Sequence, residues 1–336
     1  MRMKMKNKNS LLVGLLCILW SACSTTKNLP EGEILYTGIE RLEVVNEDKT
    51  LAGVTALTEV EAALAYAPNN AILGSSSLRW PIPFGLWVYN GFEKYQDKKG
   101  VGRWIFDHLG KSPVLMSSVN GETRAKVATN LLRDYGYFNG SVSYQEVPQK
   151  NPKEAKVSYV IDMAQPYFLD SIAYLRYPHY ADSLIRSTHS QSVLKSGENF
   201  SVLKLEEERQ RLSSLFRNHG YYYYRPEFTT YRADTLQKPG YVSLQVVPRN
   251  GVPTEARKQY YIGKTSVYLT GYNDEPPTDT LRLRTMDIYY NGKKPGIRPS
   301  ALMRNFFFRK GELFSQDRQT FTQEAIARMG VFRYSE

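Results

Sequence analysis

The chain has 336 residues, 42% apolar and 13% aromatic, so it can bury the cores of about two or three domains and lacks the composition of a disordered protein. Its formal net charge is +11, and subtracting the four basic residues within residues 1–8 leaves +7 (11 − 4). No run of like charges forms a nucleic-acid-binding pattern. We therefore expect no nucleic-acid partner and interpret the excess of positive charge as a basic protein surface.

Residues 1–22 predict an export signal. Four basic residues lie between Arg2 and Lys8, and the apolar run that follows has about ten residues, too few for a bilayer that needs about twenty. Ser21 and Ala22 then precede Cys23, an order that resembles the lipobox of bacterial lipoproteins, although Trp20 stands where that pattern has a small or aliphatic residue. An ordinary signal peptide or the start of a buried helix is the alternative interpretation.

The lipobox resemblance implies that Cys23 becomes the N-terminus and carries fatty-acid chains such as palmitate, facing the periplasm. The cysteine count agrees with this. Cys17 would leave with the signal and Cys23 would be consumed by lipid, so no disulfide is expected. The polar residues 23–33 are predicted to form a tether.

The chain contains an internal repeat. Residues 197–201 (Gly-Glu-Asn-Phe-Ser) recur as residues 311–315 (Gly-Glu-Leu-Phe-Ser), at an offset of 114 residues (311 − 197). Each copy precedes a helical pattern that ends in a glycine, and a weaker copy begins at Gly110. Each motif serine is a predicted helix N-cap. The glycines predicted to end the helices in a left-handed conformation are Gly136, Gly220 and Gly330.

The apolar period changes from helical to two on either side of each helical region. Opening strands are predicted at residues 39–45, 168–175 and 265–269, and hairpins follow the helices near residues 141–161 and 227–246. Each unit therefore has the order strand, helix, helix, strand, strand. The fold class is α+β, with small mixed sheets covered by two helices.

This order, with a Gly-aromatic pair after the helices, resembles the polypeptide-transport-associated (POTRA) domains of outer-membrane assembly proteins. A lipobox followed by Leu29-Pro30-Glu31-Gly32-Glu33, Trp87-Val88-Tyr89-Asn90 and residues 110–115 is similar to the TamL lipoproteins, a variant of the TamA/BamA family. The resemblance implies a location at the outer membrane, a role in translocation and assembly of its components, and no enzymatic activity. Such proteins continue into a β-barrel, and no complete barrel is expected in this chain.

The resemblance also implies three POTRA-like domains, at residues 34–166, 167–255 and 260–336. The first is expected to carry an insertion at about residues 51–110, which either faces a partner or completes the core. The third is expected to be incomplete, because the chain reaches Glu336 where the unit's second strand would begin.

In POTRA domains the first strand of the hairpin lies at a sheet edge, where an extended segment of another protein can pair with it by β-augmentation. The expected partners are a TamB-like periplasmic subunit and, as clients, β-barrel precursors or lipid and glycan cargo. The residues predicted to form these edges are Ser141, Val142, Ser143, Tyr144, Gln145, Glu227, Phe228, Thr229, Thr230 and Tyr231.

A surface lipoprotein that binds or hydrolyses glycans is the alternative function, with Trp80 and Trp87 as stacking residues and Asp162 and Asp170 as carboxylates. Residues 221–224, four consecutive tyrosines, are either a sugar-stacking platform or a strand entry with two rings inward and two outward. The four histidines lack metal-ligand spacing and no nucleotide or nucleophile motif is present, so no metal or cofactor is expected. These histidines are His108, His179, His189 and His219.

Overall fold

The computed structural model describes residues 25–270 and 275–332. The predicted export signal and Cys23 lie outside the described residues. The chain forms two compact units, of which one ends at Tyr167 and the other begins at Phe168. Within the described residues, no helix combines the length and the apolar character that crossing a membrane requires.

The first unit is built on a three-stranded mixed sheet with the order β1-β3-β2. Strand β1 (Leu35–Val45) runs parallel to the central strand, and the hairpin partner runs antiparallel to it. The helices between the first strand and the hairpin are α1 (Leu51–Leu64), α2 (Phe84–Phe92), α3 (Val101–Leu109), α4 (Met116–Val119) and α5 (Gly121–Asp134), with a 3-10 turn at Glu93–Tyr95. The hairpin consists of β2 (Ser141–Pro148) and β3 (Glu154–Asp162).

Helix α1 is part of the core of the first unit, and this corrects the predicted extent of the insertion. Ala56, Val60 and Leu64 of α1 are fully buried in one cluster with Leu132 of α5 and Ile161 of β3. Residues 51–64 therefore supply the first of the two helices that cover the sheet. The excursion comprises only the chain between α1 and α4. Residues 51–64 thus complete the core, which is one of the two roles expected for the insertion, and Gly53, Thr55 and Thr58 explain why the helical signal of α1 is weak.

The second unit begins with a sheet of the same order, β4-β6-β5. Strand β4 (Phe168–Tyr174) is followed by α6 (His179–Ser187), a 3-10 turn at His189–Gln191 and α7 (Val202–Asn218). After a 3-10 turn at Pro226–Phe228 come β5 (Thr229–Asp234) and β6 (Tyr241–Pro248). The predicted order of one opening strand, helices and a hairpin is thus confirmed in both sheets, as is the α+β fold class.

The glycines and serines of the repeat have the predicted backbone roles. Gly136 and Gly220 have φ values of 92° and 96°, and Gly330 has 66°, all in the left-handed region. The Ser201 side chain accepts a hydrogen bond from the Lys204 N–H at the start of α7. Ser315 caps the last helix of the chain in the same way.

The third sheet has an order of elements that the repeat did not predict. Strands β7 (Thr265–Tyr268), β8 (Asp279–Arg282) and β9 (Met286–Tyr290) all precede α8 (Pro299–Asn305) and α9 (Gln316–Arg328), and a 3-10 turn at Glu255–Arg257 comes before them. The sheet order is β7-β9-β8, with β9 parallel to β7 and antiparallel to β8. The expectation that the second strand follows the helices is therefore wrong, because a hairpin before α8 already supplies both partners.

A buried ion pair lies within α7, and its carboxylate is hydrogen-bonded to β4. The Glu208 carboxylate is fully buried and forms two hydrogen bonds with the Arg211 guanidinium, at 2.6 and 2.9 Å. It also accepts hydrogen bonds from the Tyr174 hydroxyl at 2.6 Å and the Val193 N–H at 3.1 Å. The four donors satisfy a charge that would otherwise be costly to bury.

Residues 25–28, within the segment predicted to be a tether, are packed on the first unit. The Asn90 side chain donates to the Thr25 carbonyl at 3.2 Å, and the Asn28 side chain donates to the Asn90 carbonyl at 3.2 Å. The Thr25 hydroxyl also donates to the Glu154 carboxylate. A polar composition predicted a free linker, but these side chains find polar partners on the folded domain.

Candidate functional site

The repeated Gly-Glu motif pairs with β4 in the second sheet and with the chain just before β7 in the third. The Gly197 N–H donates to the Leu169 carbonyl at 2.7 Å, and the Leu169 N–H donates to the Glu198 carbonyl at 2.8 Å. The second copy forms the same pair with Ile262, through Gly311 at 2.8 Å and Glu312 at 2.7 Å. Sequence reasoning found the repeat but missed this role, because backbone pairing leaves no side-chain signature.

In the first unit a different sequence covers the same edge. The Tyr36 N–H donates to the Val114 carbonyl and the Met116 N–H donates to the Ile34 carbonyl, both at 2.8 Å. This covering segment includes the weak repeat copy that begins at Gly110. The start of the opening strand is thus paired in the first and second sheets. The opposite edge of each of these sheets is formed by the first strand of its hairpin.

The hairpin strand β2 presents alternate backbone groups away from the sheet. The Gln149 N–H donates to the Glu154 carbonyl at 3.0 Å, which continues the β2–β3 ladder and places odd-numbered residues of β2 toward β3. The Val142 N–H instead donates to the Thr129 hydroxyl of α5 at 2.9 Å. Even-numbered residues therefore face outward, and within the described residues the N–H groups of Tyr144 and Glu146 have no other strand to pair with.

Strand β5 has the corresponding geometry with the opposite parity. The Arg249 N–H donates to the Phe228 carbonyl at 2.7 Å, so even-numbered residues face β6 and odd-numbered residues face outward. The outward N–H of Thr229 is occupied, because it donates to the Pro226 carbonyl of the preceding turn. Tyr231 and Ala233 provide the remaining outward donors. Ala233 is exposed. The side chain of Tyr231 is held by α7, because its hydroxyl donates to the Leu205 carbonyl.

An open groove of about 480 Å³ lies beside β2, between this strand and α5. Its lining includes Val142 and Tyr144 of the strand, and Glu122, Lys126 and Arg133 of the helix. Glu122 and Lys126 form an exposed ion pair at 2.7 Å, and this pair lowers the pKa of Glu122. A strand paired with β2 would place alternate side chains over this groove.

Comparisons with known proteins give only distant structural neighbours. No protein-family model and no curated protein sequence matches the chain. POTRA domains 3–5 of BamA from Haemophilus influenzae are similar at a TM-score of 0.36 and 10% identity, covering 92% of this chain and 91% of that one. POTRA domains 1–3 of Omp85 from Anabaena are similar at a TM-score of 0.28 and 12% identity, covering 90% and 88%.

Two residues predicted in the second edge strand lie outside it. Glu227 and Phe228 belong to the 3-10 turn Pro226–Phe228, where the proline at the start of the turn favours helical φ. The strand begins at Thr229, and Thr230 and Tyr231 lie within it. Residues Ser141 to Gln145 all lie in β2, at the edge where they were expected.

The four consecutive tyrosines divide two inward and two outward, but not as a strand. Tyr221 and Tyr224 are buried against Phe216, with ring centroids 5.7 and 4.7 Å away. Tyr222 and Tyr223 are partly exposed and form a turn with their neighbours. The spacing of three between the buried rings is that of a turn, so the predicted alternation is wrong.

The four residues considered for glycan binding or hydrolysis lie in different environments. Asp162 accepts hydrogen bonds from Asn46 at 2.8 Å and from the Ala164 N–H at 3.0 Å. Asp170 pairs with Lys238 at 3.0 Å. Trp80 is exposed, and the Trp87 indole N–H is buried. In the described part of the chain, no three His, Cys, Asp or Glu side chains are placed to hold a metal ion.

Proposed function

We propose that this chain is the periplasmic POTRA region of an outer-membrane lipoprotein that takes part in translocation and assembly of outer-membrane components. It binds extended segments of its partners by β-augmentation at β2 and β5. The observation that carries the proposal is the asymmetry of the two sheets, in which the start of the opening strand is paired with a covering segment, whereas the hairpin strand at the other edge has outward N–H groups with no strand beside them. An edge with unpaired backbone groups is a template for an additional strand.

Strand β2 is the better binding edge of the two. It offers eight residues in continuous register with β3, whereas β5 offers six and begins beside a turn. The groove beside β2 also accepts side chains from one face of an added strand. The backbone pairing would supply affinity, and the groove would supply the choice of sequence.

By the family resemblance, the partner is a TamB-like periplasmic subunit, and the clients are β-barrel precursors or lipid and glycan cargo. The lipid on Cys23 would keep these edges close to the outer membrane. A Cys23→Ser variant tests the anchor. We expect it to lose labelling by a fatty-acid analogue and to leave the membrane fraction, and labelling that persists in the variant would contradict the anchor.

Proline substitutions at neighbouring positions test the edge, because proline removes one N–H from the backbone. Glu146→Pro removes an outward N–H, and we expect the chain to stay folded while it loses binding. Gln145→Pro removes an N–H that pairs with β3, and we expect it to destabilise the sheet. Ala233→Pro and Arg232→Pro form the same matched pair in β5.

Binding would be measured by titration against a purified TamB-like subunit, with circular dichroism to confirm the fold. Glu146→Ala is the side-chain control and should bind as the parent chain does, because it keeps the N–H. Full binding by the folded double variant Glu146→Pro and Ala233→Pro would exclude edge pairing as the mechanism. Equal losses in the alanine and proline variants would instead indicate a side-chain interface.

A further inference from the structure

A cavity of about 300 Å³ lies in the second unit, and no residue of β5 lines it. It is enclosed by the chain between β4 and α6, by the end of α7 with the tyrosines after it, and by residues 248–257 after β6. The proposed function does not use this cavity.

The floor of the cavity is a fixed aromatic surface. Phe216, Tyr221 and Tyr224 line it, and all three side chains are buried. Their rings meet edge to face, at interplanar angles of 63° and 73°, which is a favourable geometry for aromatic pairs. Val252 and Ala256, both buried, close the apolar lining from the segment after β6. Such a floor can receive an apolar or aromatic group without rearrangement.

The rim of the cavity carries three positive charges. Arg176, Arg249 and Arg257 line it, and no acidic residue does. Within the described residues, none of the three guanidinium groups forms an ion pair or a side-chain hydrogen bond. Guanidinium groups bind carboxylate and phosphate through paired N–H donors. Three unpaired guanidiniums around one cavity therefore favour an anionic ligand.

The backbone next to Arg176 has two features that agree with this. Arg176 has a φ of 66°, a left-handed conformation that costs free energy for a residue with a side chain and is common at binding sites. Helix α6 then begins after Pro178, with no side chain capping its N-terminus. Pro178 and Ala181 line the cavity, so the first turn of the helix borders it, and the Asp182 carboxylate of that turn is paired with Arg186.

We propose that this cavity binds a small organic anion, with a carboxylate or phosphate group at the arginine rim and an aromatic or short aliphatic body on the tyrosine floor. The cavity volume equals that of roughly ten water molecules at about 30 Å³ each. It holds one ring and one acidic group. An oligosaccharide or a lipid with several acyl chains exceeds this volume.

Calorimetry on the full chain in detergent, with a detergent-only blank, tests the proposal. The probes are 3-phenylpropionate and phenyl phosphate, with the neutral alcohol 3-phenylpropan-1-ol and acetate as controls. We expect both aromatic anions to bind. The alcohol lacks the anionic group and acetate lacks the aromatic ring, so each should bind at least about tenfold more weakly. An alcohol that binds as tightly as the acid would overturn the proposal.

Substitutions locate the site. Arg249→Gln and Arg257→Gln should each weaken 3-phenylpropionate binding by about tenfold, since each removes charge-assisted donors. Arg284→Gln, at an exposed arginine between β8 and β9, is the matched control and should leave the affinity unchanged. If neither anion binds, or if Arg284→Gln weakens binding as much as the rim variants do, the cavity is not the site.

Discussion

The buried Glu208 carboxylate offers a sharp test of the packing of the second unit. In an Arg211→Met variant, two of the four hydrogen bonds to Glu208 disappear, and the charge stays buried with only the Tyr174 hydroxyl and the Val193 N–H as donors. Breaking a buried ion pair typically costs about 3–5 kcal/mol. Because two donors remain and Arg211 is partly exposed, we expect the free energy of unfolding to fall by about 3 kcal/mol.

Neutralising the remaining carboxylate should recover part of this loss. The double variant Glu208→Gln and Arg211→Met has no buried charge. The glutamine oxygen can still accept from the Val193 N–H, and its NH2 group can donate to the Tyr174 hydroxyl, which is also an acceptor. We expect the double variant to be more stable than Arg211→Met alone. A double variant that is less stable would show that the loss comes from the missing arginine contacts and not from an isolated charge.

The distribution of tryptophan allows the two compact units to be followed separately. All four tryptophans precede Phe168, so tryptophan emission during urea unfolding reports on the first unit only. Circular dichroism reports on both units. We expect Arg211→Met to shift the dichroism transition and to leave the tryptophan transition in place. A loss below about 1 kcal/mol would refute the view that Arg211 is needed to stabilise the buried Glu208 carboxylate.

Two further predictions concern glycine and tyrosine. Gly220→Ala should destabilise the chain by about 1 kcal/mol more than Gly197→Ala in urea unfolding, since both glycines have positive φ but only at Gly220 would a Cβ lie 2.8 Å from the Leu313 side chain. Equal losses would contradict this close contact. Burial raises the pKa of Tyr36 and of Tyr224 to about 12, above the ordinary 10.0. The neutral forms of these two tyrosines therefore stabilise the fold fully below pH 10, and this contribution is lost between pH 10 and about 12. In a pH titration, near-ultraviolet absorbance should show that tyrosinate from these residues appears together with unfolding. Ionisation of all tyrosines near pH 10 in a chain that remains folded would contradict it.

The backbone architecture of the two complete βααββ sheets could be predicted from local patterns. Glycines at 136 and 220 mark helix ends because few other residues tolerate a positive φ, and the serine at 201 marks a helix start through its side-chain acceptor. The period-two strands then fix which faces are buried. Each of these signals acts within a few residues, so a single sequence carries it.

Features that depend on tertiary partners were missed or were wrong. Glu208 lies within a charged stretch that suggests a solvent-exposed face, although its spacing of three from Leu205 and four from Leu212 places it on the apolar side of α7. Residues 197–198 pair with β4 through backbone hydrogen bonds, and the amino-acid composition of a segment does not indicate such a contact. The third sheet was expected to follow the repeat, but short strands of four or five residues give too little periodicity to place them.

The hydrogen bonds that hold Thr25 and Asn28 to Asn90 would also govern how the protein could be shed from a membrane. Exposed, unattached chain ends are the usual sites of proteolytic cleavage. If Cys23 carries the lipid, only residue 24 separates the anchor from chain that is already bound to the first unit. A protease that releases the domains must then wait for the segment to detach from Asn90 and Glu154, so the rate of release would follow the population of that locally opened state.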